Sequence, residues 1–443
     1  MLYRVCCHYV YWLLAYVFVS WCSVVSATGL YSQGEYSVQQ AQRLNRDLTP
    51  LGAERAGNGR DIPPWRGGLS MPPLGYKGPG HRRPNPFPED VPIYSVSSRQ
   101  LDAFEAFLTP GLREVLLDGA HQILVYPSRR TAAAPIYWYD QTYLNILNTG
   151  WDQSQVRSGV PFAIPEDGTA VLANALLRWQ GRQYHGFERL YLVEGNRVKS
   201  WPLATRAVFT NSFPQQTGFD LPNQIRSRSD RSSGSERRVA SWLSWRERSL
   251  EKPFHRQYVL SLEARFLSVA ELANNVDAPN VPPPSLLANH PNQYHWQLVG
   301  KRELLIPYNN YQLFDKEPGY NEFLTSSLSG VGHPDLERIR FEKHRVWVLD
   351  GIVKGRSKAS YGKQVLYVDE DSWAPVMVDR YSSSGELVAV GLALLTSAYE
   401  VPAIVAEFQL EFDFKADRYW FLAMDDKISL SRDYSRLPVS RNR

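Results

Sequence analysis

Upstream of residue 187 the apolar residues recur mostly at helical spacing; beyond it they gather into short runs broken by turn residues. The clearest runs lie within 363–395, KQVLYVDEDSWAPVMVDRYSSSGELVAVGLALL. Three stretches rich in Val, Leu, Tyr and Ala are parted by Asp369-Glu370-Asp371-Ser372 and by Ser382-Ser383-Ser384-Gly385, the pattern of strands joined by hairpins. Alternation within 374–381 is weak, with Val376 and Val378 on one side and Met377 and Tyr381 on the other. A sheet wetted on one side alternates cleanly, so both faces are expected to be covered here.

Further strands are expected at 187–194, 197–202, 205–212, 256–269, 294–299, 302–307 and 344–353, with a short one at 123–126. Helical spacing joins Leu101, Phe104 and Leu108, and again Leu112, Val115 and Leu116; two more helices are predicted over 135–147 and 168–180. Helices grouped in one region (98–180) and strands in another indicate an α+β chain. Residues 57–92 are too rich in Pro and Gly for regular structure, yet carry Trp65, Leu69, Leu74, Tyr76 and Phe87. They read as an ordered arm within a segment 28–92, pinned to a single domain spanning 93–443. Residues 226–238, RSRSDRSSGSERR, read as a mobile insert.

The first residues stand apart. Arg4 is followed by an apolar run from Val5 to Val25, and Val25-Ser26-Ala27 offers small residues for cleavage, so 1–27 reads as a secretory signal. The alternative is an uncleaved inner-membrane anchor through residues 5–25. All three cysteines, Cys6, Cys7 and Cys22, lie in this segment. Its removal leaves no thiol for disulfides, zinc–thiolate sites or thiol catalysis. No Asn-x-Ser/Thr sequon occurs, and a bacterial periplasm fits best. The chain carries a net charge of +4, close to balance, which points away from a nucleic-acid partner.

Catalytic signatures are absent: no G-x-S-x-G, H-E-x-x-H, Walker loop or G-x-G-x-x-G occurs. Asp369-Glu370-Asp371 could form a Ca²⁺ site or a carboxylate pair, but a hairpin turn with solvated acids is favoured. His290 and His295 lack a fixed metal-binding geometry, and His344 and Asp350 lie about 20 Å apart along one strand. Arg129-Arg130-Thr131, between a strand and a helix, suits a structural salt bridge better than an anion site. Neither metal nor cofactor is expected. The dense aromatics leave Trp138, Trp179, Trp296, Trp347 and Tyr367, with Met377, as candidates to line an apolar cavity.

Several long stretches, in order, resemble one bacterial family of unknown function associated with outer-membrane lipoprotein sorting. They are GYKGPGHRRPNPF (75–87), YPSRRTAA (126–133), GVPFAIPEDG (159–168), WQLVGKRELLIPYNNY (296–311), HPDLERIRFEKHRVWVLDG (333–351) and YVDEDSW (367–373). The resemblance implies a strongly curved antiparallel half-barrel sheet with helices packed on its concave side, similar to periplasmic lipoprotein carriers. It implies no catalytic residues. Tyr126, Arg130, Thr131, Pro307, Tyr308, Asn309, Asp369 and Trp373 match the family's motif positions, with their role left open.

The reading that follows is a periplasmic, non-enzymatic carrier or accessory protein. Its partner would be an apolar ligand such as a lipid or lipidated protein, with an RND-type exporter or outer-membrane barrel nearby. Its rivals are a structural adaptor of an envelope complex and an envelope enzyme acting on lipids or esters. Intact-mass measurement of the chain exported by a bacterium should place Thr28 at its N-terminus; a membrane-bound product retaining Met1 would establish the anchor instead.

Overall fold

The computed structural model describes residues 37–424, apart from 79–80, 118, 120, 148–157, 182, 210–223, 231–235, 250–255, 268–285, 287–292, 316–318, 329–333 and 356–358. The signal segment and His290 therefore lie outside the described residues. No helix among the described residues is long and apolar enough to cross a membrane.

The strands are β1 (Tyr94–Ser97), β2 (Gln122–Val125), β3 (Gln183–Glu194), β4 (Arg197–Phe209), β5 (Gln224–Asp230), β6 (Glu236–Ser249) and β7 (Arg256–Leu267). They continue with β8 (Tyr294–Pro307), β9 (Arg340–Val353), β10 (Lys363–Asp369), β11 (Pro375–Tyr381), β12 (Leu387–Ala398), β13 (Ala403–Asp413) and β14 (Arg418–Met424). They form one unclosed sheet in the order β1-β2-β9-β10-β11-β12-β13-β14-β3-β4-β5-β6-β7, with β8 paired to the other side of β9. Every pairing is antiparallel except β2 with β9. The principal helices are α1 (Pro110–Leu117), α2 (Ile136–Leu147), α3 (Gly168–Leu177) and α4 (Gly319–Leu328). The chain is thus α+β, as its patterning indicates, with a large and mostly antiparallel sheet.

Some boundaries differ from the sequence reading for identifiable reasons. The runs 294–299 and 302–307 are one strand, β8, because a bulge between Leu298 and Gly300 absorbs the break. Pro202 interrupts the pattern at 197–212 but stays within β4, opposite Arg189. β13 and β14 were not anticipated, although AIVAEFQLEFD keeps a strand-like period. The Arg- and Ser-rich stretch, expected as a loop, is drawn into the β5–β6 hairpin, with Ser227 opposite Arg238; its turn lies outside the described residues.

Both faces of the central strands are covered: β11 and β12 are buried along nearly their whole length. On one face α1 packs against them. Gly111 makes that approach possible, since a Cβ there would stand 2.3 Å from Asp379 Oδ1 and 2.6 Å from Val390 Cγ2. Asp379, on β11, receives the first turn of α1: Thr109 Oγ1 donates to it at 3.3 Å and Tyr367 OH at 3.0 Å, and the Gly111 N–H also bonds to it. Elsewhere the arm lies against the body, with Leu48, Leu51, Ile62 and Trp65 buried and Trp65 Nε1 donating to Ala132 O at 3.0 Å. Arg83 joins buried Glu407 at 2.7 Å and also pairs with Glu400. Tyr76 packs edge-on to Tyr399 and Phe87 lies under Arg129, whereas Leu74, expected to be an anchor, is fully exposed.

Burial pushes Asp379 up to about 6, against the hydrogen bonds from Gly111, Tyr367 and Thr109 that favour its charge. Tyr381, on its own strand, is the other titratable group that senses it. The folded state therefore holds this proton at pH values where the unfolded chain has released it. Asp379 thus contributes stability below the ordinary carboxylate range, and loses it as pH rises through about 6. In thermal or urea unfolding from pH 4 to 7, Asp379→Asn should gain on the wild type as pH rises, by up to about 2–3 kcal/mol. A constant difference across that range would refute this role for Asp379.

Candidate functional site

The most distinctive chemistry gathers where β8, β9 and the β10–β11 turn meet the arm. On β9, Arg340, Glu342 and His344 fall on one face because side chains alternate along a strand. Asp369 closes β10, and its carboxylate folds back on its own turn, accepting from Ser372 N at 3.0 Å and from Ser372 Oγ at 2.5 Å. Trp373 follows at φ +61°, a left-handed conformation costly for a side-chain-bearing residue. It is held there by Nε1 donating to Leu51 O at 2.9 Å and by stacking on Trp347 at 5.9 Å.

The acids of this turn are not solvated, contrary to the sequence reading: Asp369, Glu370 and Asp371 are 0, 1 and 5% exposed. What covers them comes from remote parts of the chain. Arg130 makes a two-pronged pair with Asp371, Nε to Oδ2 at 2.8 Å and Nη2 to Oδ1 at 2.6 Å. Its remaining donors reach arm carbonyls, at Glu54 (2.7 Å), Arg55 (3.2 Å) and Pro63 (3.3 Å). Lys301 pairs with Glu370 and, at 2.9 Å, with Glu54, and stands over the Trp347 ring.

A second set continues across β9. Arg340 joins Glu342 at 2.5 Å and Asp90 at 2.7 Å, with the Tyr126 ring beneath its guanidinium. Asn309, in the left-handed region that Asn tolerates, accepts from Thr131 Oγ1 at 2.7 Å and donates to Glu342 Oε1 at 3.0 Å. Tyr308 donates to Asp369 Oδ2 at 3.2 Å, and its ring stacks on His344 at 4.1 Å. His344 Nε2 lies 3.1 Å from Glu342 Oε2, while its Nδ1 faces Asp369 Oδ1 at 3.7 Å.

Burial sets the electrostatics. It raises Asp369 to about 6, with the charge of Asp371 adding to the effect. Burial alone would lower His344, but Glu342 and Asp369 outweigh it and hold the imidazole above its usual range. Tyr308 and Tyr367 are pushed well above ordinary phenols, first by burial and then by neighbouring carboxylates.

Of the sequence candidates, Tyr126, Arg130, Thr131, Tyr308, Asn309, Asp369 and Trp373 all converge on this cluster. The six cavity candidates go elsewhere, or into packing. Trp138 is fully buried beside Trp179 at 5.2 Å, and Trp179 Nε1 donates to Val401 O. Trp296 covers Gly351, Trp347 stacks under Lys301, Tyr367 donates to Asp379, and Met377 is buried in the core. Five of the six are buried in the packed interior, and Trp296 is partly buried against it.

Arg340, Glu342 and Lys301 are not singled out by the sequence, and Glu370 and Asp371 are weighed there only as part of a Ca²⁺ site or carboxylate pair and set aside as a solvated turn. The R-x-E-x-H period on β9 was the available signal for the first two. A separate open cleft of about 260 Å³ lies between arm residues Leu44, Asn45 and Pro50 and α2 residues Tyr139, Asp140, Tyr143 and Leu144.

The model of a family described as "Protein of unknown function (DUF1329)" matches residues 95–226 and 284–438. The chain belongs to the DUF1329 family. The DUF1329 match passes over 227–283, which contains most of the Arg- and Ser-rich hairpin. An uncharacterized protein of Pseudomonas aeruginosa is 25% identical over 429 residues, covering 90% of each chain. Among solved structures, a putative outer membrane lipoprotein-sorting protein domain from Vibrio parahaemolyticus is 12% identical over 58% of this chain and 90% of its own, with a TM-score of 0.31. A LolA superfamily protein from Nitrosomonas europaea is 12% identical over 62% and 96%, at 0.31. A DUF1329 family protein from Desulfovibrio piger is 12% identical over 59% and 93%, at 0.32.

The buried cluster has a direct energetic test. Removing one member of a buried ion pair leaves the other charge uncompensated, at a cost of about 3–5 kcal/mol. Arg130→Gln should therefore lower stability by that order in urea unfolding. It should also expose the arm near 54–65 to limited proteolysis before the sheet is cut. A loss below about 1 kcal/mol would mean that the arm is held by its apolar contacts and its other polar links without this pair.

Proposed function

We propose that this DUF1329 protein is a non-catalytic carrier or accessory protein of the bacterial envelope. It is periplasmic after loss of residues 1–27, takes up an acyl chain or similar apolar molecule, and works beside an RND-type exporter or outer-membrane barrel. The observation that carries this reading is the apolar cleft along α2. Tyr143 and Leu144 of that helix are 38 and 39% exposed and line the cleft with Leu44 and Pro50. A helix face of this kind gains free energy when covered, at about 25 cal/mol per Å² of apolar surface, and needs no catalytic group to do so. The large unclosed antiparallel sheet and the sequence motifs shared with the family, itself similar to lipoprotein carriers, support the same assignment.

The ligand contact is accordingly assigned to the α2 cleft rather than to Trp138, Trp179, Trp296, Trp347, Tyr367 and Met377. The close packing of those six side chains favours one other reading, an adaptor that scaffolds an envelope complex without a ligand. Native mass spectra of the protein recovered from a bacterial periplasm, with lipid analysis of its organic extract, separate the two. A stoichiometric apolar adduct, lost in Leu144→Glu while circular dichroism stays unchanged, is the expected result. A clean apo mass after incubation with mixed envelope lipids would assign the adaptor.

A further inference from the structure

One buried acceptor of the cluster, Asp369 Oδ1, is left without a hydrogen bond and faces His344 Nδ1. The Nε2 of His344 is 3.1 Å from Glu342 Oε2, so the neutral imidazole places its N–H there and turns the Nδ1 lone pair toward Asp369. Asp369 Oδ1 is buried and accepts no hydrogen bond, whereas Oδ2 is taken by Tyr308 and Ser372. The two atoms stand 3.7 Å apart, too far for a hydrogen bond. Two ligands on a tetrahedral divalent ion, each at about 2.0–2.2 Å, stand roughly 3.3–3.6 Å apart, close to this separation. Asp371 brings a third ligand atom, and the three residues' ligand atoms lie within 4.8 Å of one another.

The surroundings are those of a cation site. Asp369, Glu370, Asp371 and Glu342 are all buried; Lys301, Arg130 and Arg340 pair with the last three, and among the described residues Asp369 has only His344 facing its free oxygen. Arg130 takes both oxygens of Asp371 through one edge, and a carboxylate keeps further lone pairs for a metal. Glu342, bonded to the far nitrogen of His344, fills the place of the outer carboxylate that orients a metal-bound imidazole. The donor set of one imidazole and two carboxylates suits Zn²⁺ and similar divalent transition ions better than Ca²⁺, which prefers oxygen alone.

We propose that His344 Nδ1, Asp369 Oδ1 and Asp371 bind one divalent transition-metal ion, Zn²⁺ in the first instance, which ties the β10–β11 turn to β9. This assignment is independent of the carrier reading, because the cluster and the α2 cleft share no residue.

Because the site is buried, the ion must enter before the chain closes over it. The full-length exported protein would be unfolded with chelator, refolded with or without Zn²⁺, desalted, and its metal content and thermal midpoint measured. The expected result is about one zinc per chain and a higher midpoint for the zinc-refolded wild type. Asp369→Asn can turn its amide N–H toward His344 Nδ1 and so needs no ion; it should refold, retain at least tenfold less zinc and show no midpoint shift. His295→Ala, which removes an exposed imidazole, should retain zinc like the wild type. Zinc absent from the wild type would overturn the proposal and leave a proton alone between His344 and Asp369. Equal retention by Asp369→Asn would overturn it equally, as would loss of zinc in His295→Ala. If Asp369→Asn does not refold, the wild-type zinc content and the His295→Ala comparison still decide.

Discussion

The two-pronged pair between Arg130 and Asp371 is the interaction on which the arrangement of this protein rests. Both partners are almost completely removed from water, so each would carry a large desolvation cost if the other were absent. The cost is offset only because the geometry is nearly complete: two parallel bonds to one carboxylate, and four arm carbonyls receiving the remaining guanidinium donors. A guanidinium is needed here, since a lysine ammonium has neither the planar fork nor enough donors. The pair therefore fixes three things at once: the loop after β2, the β10–β11 turn, and the course of the arm between residues 54 and 63.

From that node the order spreads by shared partners. Glu342 is bound by Arg340, Asn309 and His344, and Asp369 by Tyr308 and Ser372. Few of these bonds can be lost singly, because each carboxylate also satisfies a donor that would otherwise be buried alone. The arm, although almost free of regular structure, is thereby as much a layer of the fold as a helix would be. Its Leu, Ile and Trp side chains supply the apolar half of that layer, and Arg83 with Glu407 fastens its far end.

Much of the scaffold was legible in the sequence because it is locally encoded. Helical spacing at 135–147 and 168–180 placed α2 and α3 within a few residues, and the weak alternation at 374–381 correctly announced a strand buried on both sides. β8 was read as two strands because a bulge at Gly300 resembles a turn when seen in one dimension. The acidic turn was misread for a deeper reason. Asp-Glu-Asp-Ser has the composition of a wet hairpin, and nothing within ten residues contradicts that. Arg130, which covers Asp371, is 241 positions away, and Glu54, whose backbone N–H donates to Glu370, is 316 positions away. His344 was weighed against Asp350 on its own strand, whereas its partners are two residues back and on the neighbouring strand. Resemblance to the family marked the right positions without saying that they meet.

Those sequence separations also bear on the order in which the molecule can become whole. A chain made from its N-terminus presents the arm first, with its polar backbone and its Glu54, Asp61 and Arg83 side chains. Their partners, Lys301, Lys343, Glu370 and Glu407, arrive only with the last third of the protein. Until then the arm can meet the loop after β2, but a chain stopped short of β8 leaves these charged side chains without their partners. Completion of the C-terminal strands is thus registered at the opposite end of the polypeptide, and only a finished chain can hide its own beginning.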